Sequence, residues 1–93
     1  MRTIERTGQF KRDWKRESKG RYAGILADEF IPLVSALADD KPLAARHRDH
    51  ALGGDWADHR DCHIRPDLVL IYRKHDTDTL QLVRLGSHAE LGW

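Results

Sequence analysis

Hydrophobic positions change their spacing along the chain, and each change marks an element. Phe10 and Trp14 stand four apart, and Tyr22, Ile25, Leu26, Phe30, Leu33, Val34 and Leu37 recur at intervals of three and four, the period of one helical face. This spacing predicts helices over 8–18 and 21–38, separated at Lys19-Gly20. Pro32 removes one intrahelical hydrogen bond and should kink the second helix or split it. Ahead of the helices, residues 2–6 alternate as a short half-buried strand does. Residues 40–58, with Pro42, Gly53, Gly54 and scattered charges, read as a long ordered loop pinned by Trp56.

The period then becomes two. In "DHRDCHI" one strand side carries Arg60, Cys62 and Ile64 and the other His59, Asp61 and His63. Arg65-Pro66-Asp67 supplies a turn, the apolar run 68–73 reads as a central strand, "HDTD" at 75–78 as a hairpin turn, and "TLQLVRL" as the returning strand. One strand, two helices and three antiparallel strands make an α+β fold, a small antiparallel sheet packed against two N-terminal helices.

Composition sets limits on this picture. A chain of 93 residues makes one domain, 1–93, and buries only about 60–65% of the surface it exposes when unfolded, so the core is small. Hydrophobic residues at 40% and charged residues at 33% fit a soluble protein, and neither a membrane-spanning run nor a signal-peptide pattern is seen, so the expected location is the cytoplasm. The single cysteine, Cys62, has no disulfide partner in the chain and reads as a core residue. The net charge of +1 hides an asymmetry: eleven bases against seven acids over 1–48, five against eight over 49–93. Residues 2–21 carry eight bases and three acids, a patch that attracts polyanions such as RNA. The plainer reading is a solvated helix face stabilised by pairs such as Asp13 with Arg16.

The hairpin order places ionisable groups at the entrance of a core strand. His63, Asp67 and Arg84 fall on neighbouring strands at one sheet surface, with His50 in the long loop and His88 just after the last strand. Histidine titrates near neutral pH, aspartate orients a histidine or takes a proton, and arginine grips a phosphate through paired hydrogen bonds, which together suit phosphodiester chemistry. Each has a duller alternative: Asp67 as a turn residue, Arg84 in a surface ion pair, and His47, His59 and His75 as polar surface residues. A metal site is not expected, because strand histidines four apart, such as His59 and His63, lie about 13 Å from each other.

The residues "DHALGGDWADHRDCHIRPDLVLIYR" and "LVRLGSHAELG", in that order after two helices, resemble the RelE/ParE superfamily of bacterial toxins and specifically its YafQ-type branch, over nearly the whole chain. The resemblance implies a RelE-like fold and a ribosome-dependent messenger-RNA endonuclease of a type II toxin-antitoxin system, without a cofactor. It implies acid-base roles for His50, His63, Asp67 and His88, phosphate stabilisation by Arg84 and a supporting role for Asp61. His50 or Asp67 would be the base and His88 the acid in an attack of the ribose 2′-hydroxyl on the adjacent phosphate. Lys11, Arg12, Lys15, Arg16 and Lys19 would then contact ribosomal RNA, and Trp93 would stack on a base where the family has an aromatic residue at the position of Gly92 here. Leu68 also replaces an aromatic residue of some members. The implied partners are the 70S ribosome with its message and a cognate antitoxin of the DinJ/RelB kind. The rival is a ParE-like toxin that blocks DNA gyrase by binding alone.

Overall fold

The structure, a computed structural model, describes residues 1–92; the stacking role expected of Trp93 lies outside the described residues. Strand β1 (Thr3–Arg6) leads into helix α1 (Gly8–Glu17) and helix α2 (Ala23–Ala38). Two single 3-10 turns, Ala45–His47 and Gly54–Trp56, flank the two-residue strand β2 (His50–Ala51). Strands β3 (Arg60–Arg65), β4 (Leu68–Arg73) and β5 (Thr79–Gly86) follow, and a one-turn helix α3 (His88–Leu91) closes the fold. The five strands form one sheet in the order β1-β5-β4-β3-β2. It is antiparallel except at β1, which pairs parallel to β5 with Thr3 opposite Thr79.

Thr7 starts α1 because its hydroxyl does two things at once: it accepts the Phe10 N–H at 3.0 Å and donates to the Val83 carbonyl at 2.9 Å. Helix α2 runs unbroken through Pro32, so of the kink or split expected from the sequence the split does not occur. Pro32 lies on the exposed face, where the carbonyl left without an N–H partner is open to water. β1 also differs from the half-buried strand expected, since all four of its residues are exposed and it forms a sheet edge.

β4 is the centre of the molecule, with Leu68 to Tyr72 at 1% exposure or less. Leu68, Leu70 and Tyr72 face α1 and α2 in the main core, with Phe10, Phe30, Leu37, Leu82 and Leu85. Val69 and Ile71 face the other way into a small second core with Leu91, against which Leu52, Trp56 and Val83 pack. A bulge on β5 sets what that second face displays: Tyr72 pairs with Leu82 while Ile71 pairs with Arg84, so Val83 is an extra residue. Val83 and Arg84 therefore share the face opposite the helices.

Where β1 stops, side chains of α1 complete the outer edge of β5. Asp13 accepts the Leu85 N–H at 3.0 Å and Arg16 donates to the Leu85 carbonyl at 2.9 Å. An edge that would otherwise leave polar backbone unpaired is thus satisfied without a strand. Among the described residues, no helix is long and apolar enough to cross a membrane.

Candidate active site

Register brings the site together. His50 pairs with Asp61, Asp61 with Ile71, and Ile71 with Arg84, so one row across four strands holds His50, Asp61 and Arg84 on the face away from the helices. His63 pairs with Val69, and Val69 with Gly86, which places His63 in the next row, beside the segment that leads to His88. His50, Asp61, His63 and His88, walled by Leu52, Gly53 and Trp56, line an open cleft of about 500 Å³.

Two histidines of the cleft have one nitrogen fixed. His50 Nδ1 lies 2.6 Å from the Arg48 carbonyl, which can only accept, so Nδ1 carries the proton and the lone pair of the neutral ring sits on Nε2. The same Nδ1 is 3.1 Å from Asp61 Oδ1, a charge contact without hydrogen-bond alignment. Arg48 itself adopts the left-handed region at φ 46°, the reversal that delivers β2 to the sheet edge. On the far side of the cleft, Asp67 Oδ1 accepts both the His88 Nδ1 proton at 2.8 Å and the His88 backbone N–H at 3.1 Å. That amide is one of the donors that the start of α3 leaves without a partner in the helix. One carboxylate therefore anchors the helix start and selects the tautomer of its first side chain. The two hydrogen bonds, backbone first, hold the Asp67 carboxyl below its ordinary range.

The remaining pair is electrostatically strained. Asp61 is 1% exposed, and its Oδ1 has no hydrogen-bond partner among the described residues. Burial raises its pKa, against the opposing charges of His50, His63 and His88. His63, whose ring meets that of His88 edge-on at 5.4 Å between centroids, is pushed the other way: burial lowers its pKa, with Asp61 opposing.

Arg84 lies on the same face but does not line the cleft. Its Nε and Nη2 fork onto Asp13 at 2.7 and 3.4 Å. Asp13, read from sequence as half of a solvated helix pair, is instead fully buried, because Arg84, Arg16 and the Leu85 N–H converge on it. Arg16, though partly exposed, has its guanidinium engaged with Asp13, Glu17, Glu90 and the Leu85 carbonyl, while Lys11, Arg12 and Lys15 on α1 and Lys19 just beyond it are exposed. His47, expected at the surface, is buried, and its Nδ1 bonds to the His63 carbonyl at 2.7 Å, bracing β3 behind the cleft. Sequence spacing carried no sign of either buried group, since Arg84 and the Leu85 N–H that meet Asp13, and the His63 carbonyl that meets His47, lie 16 or more residues away. Among the described residues, no three His, Cys, Asp or Glu side chains are gathered to hold a metal ion.

Comparison with known proteins bears on the fold and on the family. The mRNA interferase toxin YafQ of Escherichia coli K12 is 36% identical over 91 residues, covering 98% of this chain and 96% of that protein. A copper-bound mutant toxin from Helicobacter pylori superposes with a TM-score of 0.84 at 33% identity, covering 98% of this chain and 99% of that one. The E. coli DinJ-YafQ complex contains a chain that matches at TM-score 0.81 and 35% identity, with 98% of each chain covered. The family model described as the bacterial toxin of type II toxin-antitoxin systems, YafQ, matches residues 2–92. Motif order, sheet and family model agree along the full length of the described chain, which belongs to the YafQ toxins of type II toxin-antitoxin systems.

Proposed function

We propose that this toxin is an endoribonuclease that cuts messenger RNA on the translating ribosome, in the cytoplasm, and that a cognate antitoxin of the DinJ kind silences it. The observation that carries the reading is the opposition of His50 and His88 across one cleft, each with Nδ1 committed to a fixed acceptor.

In this mechanism His50 Nε2 takes the proton of the ribose 2′-hydroxyl, and the O2′–P bond forms. The P–O5′ bond breaks as His88, protonated at Nε2, gives its proton to O5′. The products are a 2′,3′-cyclic phosphate and a 5′-hydroxyl end; His50 leaves the step protonated and His88 neutral, and exchange with water restores both. Asp67 is better suited to orienting His88 than to acting as base, because its Oδ1 already accepts two hydrogen bonds and its pKa is lowered. Asp61 balances positive charge arising on the histidines, and His63 packs against the His88 ring. Arg84 offsets the charge of the crowded phosphorane. Exposed Lys11, Arg12, Lys15 and Lys19 supply phosphate contacts to ribosomal RNA.

The test is a cell-free translation reaction with a defined message, mapping new ends by primer extension. Cuts inside the reading frame that need ribosomes are expected, with His50→Ala and His88→Ala each slowing cleavage about 100- to 10,000-fold. A message that stays whole in the presence of wild-type protein would sink the reading.

A further inference from the structure

We propose that Asp13 is a positioning residue for Arg84, a carboxylate buried under α1 whose task is to hold the phosphate-binding guanidinium in one orientation. The inference rests on the role given to Arg84 above.

Asp13 has no exposed surface, and the donors around it are more numerous than a helix pair needs. Oδ2 accepts Arg84 Nε at 2.7 Å and the Leu85 N–H at 3.0 Å, while Oδ1 accepts Arg16 Nη1 at 3.0 Å and, more weakly, Arg84 Nη2 at 3.4 Å. Burial by itself would raise the pKa of this carboxyl; the Arg84 hydrogen bond, the Leu85 N–H and the arginine charges outweigh it and hold the group ionised.

The fork uses Nε and Nη2 of Arg84 and leaves Nη1 with no acceptor among the described residues. Three of the five guanidinium N–H donors, two on Nη1 and one on Nη2, are therefore still available for a phosphate oxygen. The β5 bulge puts Arg84 on the face that bears His50 and Asp61, and Asp13 reaches it from the opposite side of the sheet edge, 71 residues earlier in sequence. An unheld arginine has four rotatable bonds to immobilise in the transition state, whereas a forked one is ordered beforehand. Stability alone does not account for the arrangement, since a buried ion pair is often no more stabilising than well-packed apolar residues.

The experiment measures cleavage of message on programmed ribosomes under single-turnover conditions, with saturation curves separating kcat from KM. It compares the intact wild-type protein with Asp13→Asn, Arg84→Ala, Arg84→Lys and the double variant Asp13→Asn/Arg84→Ala. Expected are a loss of about 100-fold in kcat for Arg84→Ala and about 10-fold for Asp13→Asn with KM unchanged, and a double variant no slower than Arg84→Ala alone. Arg84→Lys keeps the charge but cannot fork, and is expected to lose at least as much as Asp13→Asn. It also keeps the inference testable if Asp13→Asn fails to fold.

Losses that multiply in the double variant, or full activity in Asp13→Asn or Arg84→Lys beside an inactive Arg84→Ala, overturn the positioning role and leave the nuclease reading standing. Normal cleavage by Arg84→Ala removes the phosphate role and the inference together. No cleavage by the wild type removes the nuclease reading itself, and this inference with it.

Discussion

Asp61 shows what a single side chain can cost its own protein. A carboxylate at 1% exposure with one oxygen unpartnered is destabilised in its charged form, and its raised pKa has that cause. Asp61→Asn keeps the shape and removes the charge. It is expected to stabilise the fold at pH 7.5 by about 1 kcal/mol, roughly 4–8 °C in Tm for a domain of this size, while slowing message cleavage. Calorimetry beside the translation assay checks both halves; a variant that is less stable than wild type contradicts this account of the site.

At this scale the site was only partly legible in sequence. His50, Asp61, His63 and His88 meet in one cleft, and the alternation read over residues 59–64 already put Asp61 and His63 on one side of β3. Asp13 and His47 were misread because a charged residue on a helix or in a loop looks solvated until its distant partners are known.

Among the elements, the tie between α1 and α3 has the clearest consequence. Arg16 joins them through Glu90 at 2.5 Å while also meeting Glu17 at 2.9 Å, and Glu17 is buried, which raises its pKa. α3 is a single turn held by its capping box, Ser87 with Glu90, and it carries His88. At Gly86 a Cβ would lie 2.9 Å from Arg16 Nη2, so the flexible end of that side chain would have to shift. Arg16→Ala leaves Glu17 and Glu90 facing each other without a cation. The expected cost, discounted because the Arg16 side chain is 40% exposed, is on the order of 1–2 kcal/mol, read as a lower urea midpoint together with faster amide exchange in α3. Unchanged exchange in α3 would detach it from α1.

Element boundaries followed sequence closely where apolar spacing was strong, as for β4 at Leu68–Arg73 and α2 at Ala23–Ala38. β2 and α3, two and four residues long, are too short to generate a period and exist because β3 and Asp67 hold them.

For the whole molecule, opposing shifts predict the shape of its acid stability. Asp13 and Asp67 have lowered pKa values in the fold, so their contribution is present above the unfolded value of about 3.9 and is lost as pH falls through their folded values. His63, lowered by burial, takes up its proton more readily unfolded, which removes stability as pH drops below about 6.5. Asp61 acts in the opposite sense, its penalty fading as it protonates. Urea midpoints measured from pH 8 to pH 3 should show a shallow decline from pH 6.5 and a steep one below pH 4, the latter reduced in Asp67→Asn. A wild-type curve flat to pH 3 would contradict these assignments.

The parallel pairing of β1 with β5 also sets the timing of folding. Thr3 meets Thr79, so the first strand to be made waits for the last one, and β5 supplies both cores. Contacts this far apart in sequence close late and slowly. While the chain is being synthesised, the helices and the β2-β3-β4 hairpins precede β5, but the row from His50 to Arg84 needs β5 and the cleft needs His88 beyond it. The row is therefore complete only when the strand made last has joined the sheet beside the strand made first.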